Sequence, residues 1–318
     1  MPYRICTHAD AGDIIGQLVE LGRAAFAEYE GAPRLGPDMK RWFLSRPGCE
    51  PRRCLVALDG DSVVANVLVT VQSVQLGGDL LRCGIVDSVA THPAHQRRGL
   101  ARELMTRVHD AMQDDGLDAA LLYTNPAGHA YRFYEGLGYV TRARLVLVGG
   151  SRPTHARLEG TRRMRSEEEP ALRELINAEY AEHDGFAPID EALWRWHRLE
   201  RPTGMPAATY VVERDGRTVA VATFAEMDML LSGTHRRLAI ASDLAGPESL
   251  DLLCAASAEH VALLLDARAP ELHRCLDAGL QPQVGEAAMV LPFSDRAGAA
   301  LERPPNIWYV MVESVVGA

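Results

Sequence analysis

One arrangement of strand and turn signals occurs twice in this chain. Residues 53–72, RCLVALDGDSVVANVLVTVQ, form two β-rich runs joined by Asp59-Gly60, and residues 209–224, TYVVERDGRTVAVATF, repeat the plan around Asp215-Gly216. Asp-Gly between such runs predicts a hairpin, because the tight turns that match strand twist need positive φ at their central positions. Each hairpin follows a helical region. Asp10 is placed to cap a helix running to about Glu30, and Ser166 precedes the acidic, proline-containing start Glu167-Glu168-Glu169-Pro170. Each hairpin is also followed by a third long strand, residues 80–91 and 236–245. A helix, a short strand (Ala119–Tyr123 or Val261–Leu265) and a last helix complete each copy. The breaker-rich stretch 149–160, GGSRPTHARLEG, reads as the linker. The predicted fold is therefore α/β (α+β), in two tandem domains over residues 1–150 and 151–318. Each is a mixed, mostly antiparallel sheet flanked by helices.

Composition narrows the function classes. With 318 residues, 47% apolar and 24% charged, the chain reads as a soluble globular protein too long for a single core. No run approaches the roughly eighteen apolar residues of a membrane helix, and the N-terminal MPYRICTHADAGD has no apolar signal core. The six cysteines lack CxxC spacing, so neither a zinc site nor a disulfide framework is expected, and reduced thiols suit a cytoplasmic setting. A net charge of −10 argues against nucleic-acid binding and leans towards cationic or neutral small substrates. No membrane partner is expected, and a homodimer is open.

The chemistry gathers at one helix end. From Leu100 the apolar residues Leu100, Ala101, Leu104, Met105, Val108, Ala111 and Met112 make one helical stripe. Such a helix starts with about four unsatisfied N–H groups beside a partial positive charge. Between His92 and Arg102 no Ser, Thr, Asp or Asn is present to cap it, and Arg97 and Arg98 add positive charge. Gly99 removes a side chain where an anion would approach the backbone. Either a phosphate or pyrophosphate completes this end, or water does and the arginines are solvated. The second copy begins its corresponding segment with GPESLDLL (246–253), where Pro247, Glu248 and Asp251 close the end in the ordinary way.

Gln96-Arg97-Arg98-Gly99-Leu100-Ala101 resembles the Q/R-x-x-G-x-G/A signature of the GNAT superfamily of acetyl-CoA-dependent N-acetyltransferases. AYRFYEGLGYV (130–140) resembles that superfamily's A-x-x-x-Y-E-x-x-G-F/Y stretch. The tandem plan with a degenerate second copy is similar to mycothiol-synthase-like enzymes and to the enhanced-intracellular-survival type of aminoglycoside acetyltransferase. The resemblance implies that backbone amides of Arg97, Arg98, Gly99, Leu100, Ala101 and Arg102, beside Gln96, cradle the pyrophosphate of acetyl-CoA. It implies that Val89, Ala90 and Thr91 pair with the pantetheine arm. Tyr134 matches the usual general-acid tyrosine, and no metal is implied. In the second copy Cys275 falls at the tyrosine's position.

Aminolysis of a thioester also needs a neutral amine. Asp87 interrupts the run GIVDSVAT, an unfavourable place for aspartate in a strand interior, and is a candidate base; it could equally be a polar residue facing solvent or the domain interface. Asn125 lies near where relatives carry a cofactor-touching asparagine, yet five residues before Ala130 where three is usual. Asn125-Pro126 also reads as an N-cap and first-turn pair for the helix carrying Tyr134. His92, His95 and His129 lack metal-ligand spacing, with His95 expected to be solvated. Trp194 and Trp196, at i and i+2, cannot share one helical face, so one is expected inside and the other against the first domain or a substrate. The expected activity is acetyl transfer to a primary amine of a small molecule or peptide. The alternatives are a non-catalytic acyl-CoA sensor or scaffold, and a helix end that binds another phosphate compound.

Overall fold

Both Asp-Gly pairs turn their hairpins, with Gly60 at φ 60° in one and Asp215 and Gly216 at φ 49° and 73° in the other. The computed structural model describes residues 3–154 and 159–310. The first half runs β1 (Arg4–Thr7), α1 (His8–Ala11), α2 (Ile15–Ala25), α3 (Pro37–Leu44), β2 (Leu55–Asp59) and β3 (Ser62–Leu76). It continues through β4 (Asp79–Thr91), α4 (Leu100–Asp114), β5 (Ala119–Thr124), α5 (His129–Glu135) and β6 (Val140–Ser151). The second half repeats the plan with β7 (Thr161–Arg163), α6 (Glu169–Tyr180), α7 (Glu191–Arg198), β8 (Ala207–Arg214) and β9 (Arg217–Leu231). Then come β10 (Thr234–Ala245), a 3₁₀ segment Ser249–Ala255, β11 (His260–Asp266), α8 (Pro270–Asp277), β12 (Gln281–Pro292) and α9 (Asp295–Glu302).

The twelve strands of the described residues join one sheet, in the order β1-β2-β3-β4-β5-β12-β6-β11-β10-β9-β8-β7. The centre of that order carries an exchange. β12, the last strand of the second half, pairs with β5 of the first; β6, the last strand of the first half, pairs with β11 of the second. β6 and β12 pair antiparallel with each other, Glu286 opposite Leu145. Each half thus lends its final strand to the other, and the hydrogen-bond ladder joins both halves.

Strand alternation sends the two faces to different cores. On one face, α2, α3 and α7 bury Met39, Trp42, Phe43 and Trp196 against Leu81, Cys83, Ile85, Leu145, Met227 and Ala288. On the other face of the first half, Leu100, Leu104, Met105, Val108 and Met112 of α4 pack with Tyr134 and Tyr139 over Val67, Val86 and Ala120. The predicted α4 stripe is therefore buried at these five positions, while Ala101 is half-buried and Ala111 is exposed. Trp42 and Trp196 stack at 4.4 Å and 4°, and each indole N–H donates to the other residue's carbonyl, at 3.0 and 2.8 Å. Trp194 is fully buried within its own half, so the division expected for the two tryptophans is what the fold contains.

Several local readings change. The helix expected from Asp10 is broken: Thr7 caps α1 by accepting from the Asp10 N–H, Gly12 at φ 77° ends it, and α2 starts afresh at Ile15. The segment after β10 is a seven-residue 3₁₀ run rather than an α-helix. Its Leu250, Leu252 and Leu253 are all buried, so it lacks the polar face that would suit a longer surface helix. Of the expected linker, 149–151 are the end of β6, and 155–158 lie outside the described residues.

Candidate active site

The site begins where two parallel strands part. β4 pairs with β5 only over Cys83–Ile85 and Ala119–Leu121. Beyond Ile85 a bulge bends β4: the register against β3 shifts between Asn66 and Leu68, and Ser88 takes φ 50°. The Asn66 side chain spans the bulge, donating to the Ser88 carbonyl at 2.9 Å and contacting buried His8 Nε2 at 2.8 Å. Burial pulls the His8 imidazole down to about 4, so it is neutral and donates to Asn66 Oδ1. After the bulge, Ala90 and Thr91 pair with Asn66 and Ala65 of β3, leaving the β5 side of the strand without a ladder. Val89, Ala90 and Thr91 therefore border a slot that an extended ligand could fill as an added strand.

At the end of this slot lies the α4 N-terminus. Gly99 is its cap residue at φ 82°, with no side-chain hydrogen bond closing the end. A Cβ there would meet nothing in the protein, so the left-handed backbone is what favours glycine. Arg97 is also left-handed, at φ 61°. Among the described residues, no acceptor is bonded to the backbone N–H groups from Arg98 to Arg102. Arg98 reaches back to Tyr3 Oη at 2.7 Å and the Ala94 carbonyl at 3.1 Å, and Gln96 Nε2 approaches the Thr91 carbonyl at 3.4 Å. Five consecutive free donors at a positive dipole end form an anion cradle. Leu100 packs beneath it and Ala101 is half-buried. The counterpart region of the second half offers no such end, and its Glu248 is held by Arg214 at 2.6 Å.

Tyr134 lies on α5, and Tyr139 N–H bonds its carbonyl at 3.1 Å, just as Leu280 N–H bonds that of Cys275 at 3.0 Å in the second half. This supports the alignment of Cys275 with Tyr134. Tyr134 is buried, and burial followed by the nearby Asp87 carboxylate raises its phenol above the ordinary range. Asp87 is buried too. Arg46 Nη1 lies 3.8 Å from it, and Lys40 contributes a second cation. Burial nevertheless holds the Asp87 carboxyl up to about 7, and neither of its oxygens accepts a hydrogen bond. Of the alternatives open for Asp87, exposure to solvent is ruled out by its burial.

Asn125 departs from the capping role expected for it. Its Oδ1 accepts from Ala127 N–H at 2.8 Å in a local turn, whereas Gly128 is the cap residue of α5. Its own N–H donates to Tyr29 Oη at 3.0 Å. Tyr29 in turn donates to the Glu286 carboxylate, at 3.0 and 3.2 Å to its two oxygens. Burial pushes Glu286 up to about 8. Sequence reasoning missed both residues. Glu286 interrupts the apolar run VGEAAMVL much as Asp87 interrupts its own, but only the strand exchange brings it to this site. His95, expected in solvent, instead contacts Tyr3 Oη at 3.0 Å.

Residues 11–141 match the family model described as the acetyltransferase (GNAT) domain. No curated protein matches the sequence. Among solved structures, N-myristoyltransferase of Saccharomyces cerevisiae with bound myristoyl-CoA is similar at TM-score 0.73 and 10% identity, over 92% of this chain and 84% of that one. A GCN5-related N-acetyltransferase from Anabaena variabilis matches at TM-score 0.66 and 11% identity, over 92% and 73%. A probable N-acyltransferase from Enterococcus faecalis matches at 0.65 and 12%, over 92% and 73%.

Proposed function

We propose that the protein is an N-acetyltransferase that moves the acetyl group of acetyl-CoA to a primary amine, a reading supported by the match of residues 11–141 to the acetyltransferase (GNAT) domain model. The observation carrying this reading is the open α4 end beside the parted strands β4 and β5, since together they accept a pyrophosphate and an extended arm. Arg97 to Arg102 would hold the pyrophosphate through their amides, with Gln96 alongside. Val89, Ala90 and Thr91 would pair with the pantetheine arm, which lays the thioester towards Tyr134. Asn125, just past the end of β5 with its Oδ1 held by Ala127 N–H, would border the thioester.

In the proposed reaction the amine attacks the thioester carbonyl, the C–N bond forms, and the C–S bond breaks with its electron pair passing to sulfur. Tyr134 protonates the departing thiolate and regains its proton from the nitrogen. Asp87, held between Arg46 and Lys40, faces this chemistry as the candidate base named by its strand position. The acceptor is expected to be cationic before it reacts, since the overall charge is −10 and buried carboxyls line the site. The second half is read as a degenerate partner that walls the acceptor side.

Tyr134→Phe tests the assignment. Turnover should fall by about a hundredfold while acetyl-CoA binding stays within a few-fold. Unchanged turnover across the pH range would remove Tyr134 from the acid's role. The sensor or scaffold alternative is separated by free-thiol release from acetyl-CoA in the presence of primary amines.

A further inference from the structure

Glu286 is a buried acid supplied by the second half to the first half's slot. It stands on β12 opposite Leu145 of β6, an apolar pair position with no structural need for a carboxylate. It is 4% exposed, and among the described residues no ion pair reaches it. Its one hydrogen-bond partner is the Tyr29 hydroxyl. Tyr29 is only half-buried, and its oxygen also accepts from Asn125 N–H at 3.0 Å, where β5 ends beside the slot. A phenol oxygen has two lone pairs, so one remains for an incoming N–H. The proximity of Tyr29 to Tyr134 is marked by the electrostatic effect of one phenol on the other.

Resting on the acetyltransferase reading, we propose that Tyr29 and Glu286 form the proton exit for the attacking amine. The acceptor enters as R–NH3⁺. One proton passes to Tyr29 Oη as the Tyr29 proton passes to the Glu286 carboxylate, leaving R–NH2, neutral Glu286 and an unchanged tyrosine. The amine then attacks the thioester, and Tyr134 handles the thiolate as described above. Once the products leave, Glu286 returns its proton through the Tyr29 hydroxyl to water in the emptied slot. Net, R–NH3⁺ and acetyl-CoA give the amide, free coenzyme A and one proton.

Asp87 is less suited to this step. Arg46 and Lys40 already stabilise its charge, and it makes no hydrogen bond leading to the slot. The groups around Glu286 are otherwise neutral. Tyr29 faces it from the segment after α2, Leu145 from β6, and Tyr123 lies on the same face of β5 with its hydroxyl accepting from Trp308 Nε1. Arg144, the neighbour of Leu145, turns to the opposite face and sits over the Tyr131 ring.

The test compares two nucleophiles with acetyl-CoA as donor: butylamine, protonated at neutral pH, and hydroxylamine, whose nitrogen is already free. Glu286→Gln and Tyr29→Phe should each slow transfer to butylamine by about a hundredfold and leave transfer to hydroxylamine within a few-fold. The acid limb of the wild-type butylamine profile, set near the Glu286 value of about 8, should move up to that of free butylamine in Glu286→Gln. Equal losses with both nucleophiles, or an acid limb left near 8 in Glu286→Gln, would overturn the relay while leaving the acetyltransferase reading intact. Wild-type protein that acetylates neither nucleophile would overturn that reading and the relay with it. Calorimetric acetyl-CoA binding by each variant separates a lost proton path from a lost fold.

Discussion

A carboxyl buried as deeply as Glu286 leaves a thermodynamic trace that can be worked out with its sign. Its ordinary value is 4.5 and its native value about 8. Between these, the unfolded chain gives up the proton and the native protein keeps it, so native stability falls as pH rises through that window. Each unit is worth about 1.4 kcal/mol, so Glu286→Gln is expected to stabilise the protein by a few kcal/mol at pH 8 and to match wild type near pH 4.5. Denaturant melts across that range check it, and parallel stability profiles would contradict it. The same residue shows where reading the sequence stops. Gly99 and Tyr134 are legible because their local sequence carries their geometry: a missing cap, a left-handed turn and a motif spacing. Glu286 and Tyr29 stand 257 positions apart and meet only through the folded sheet. Asn125 was legible as a turn former, but its side chain bonds Ala127 N–H, two residues before the helix starts at His129.

Among the elements, the strands were the most readable, since alternation and Asp-Gly turns specify hairpins locally. Helix ends were less so. Gly12 divides the first helical region, and the second half's counterpart of α4 shortens to a 3₁₀ run once all of its leucines are buried. The joint between halves at this scale is α3 against α7, where Trp42 and Trp196 exchange indole-to-carbonyl bonds across a 4.4 Å stack. Each Trp→Phe substitution removes one buried N–H donor: Trp42→Phe takes it from the Trp196 carbonyl, while the Trp42 carbonyl keeps the Ser45 hydroxyl at 2.7 Å when Trp196 is replaced. We expect each to cost about 1–3 kcal/mol, and a double-mutant cycle to show a coupling of about 1 kcal/mol. Additive losses would mean that the pair only fills space.

For the whole molecule, the exchange of β6 and β12 ties the two repeats together. The proposed units 1–150 and 151–318 describe the repeat in sequence, while the sheet places a strand of each beside β5 or β11 of the other. Without β12, residues 1–150 would expose the Ala119–Thr124 edge of β5, a row of unpaired donors and acceptors that favours aggregation. That fragment should therefore lack a cooperative thermal transition alone and gain one on co-expression with residues 151–318. A cooperative melt of the isolated fragment would contradict interdependence. The repeat was visible in sequence but the exchange was not, because both final strands have similar patterns and local signals do not say which neighbour each will take. The asymmetry between halves sharpens the proposal: the open α4 end at Gly99, which has no equivalent in the 3₁₀ segment of the second half, would hold one molecule of acetyl-CoA. Calorimetric titration of the full chain with acetyl-CoA, coenzyme A and ATP should give a single site per chain with marked preference for the coenzyme A compounds. Binding that is absent, or equally strong for ATP, would contradict the account.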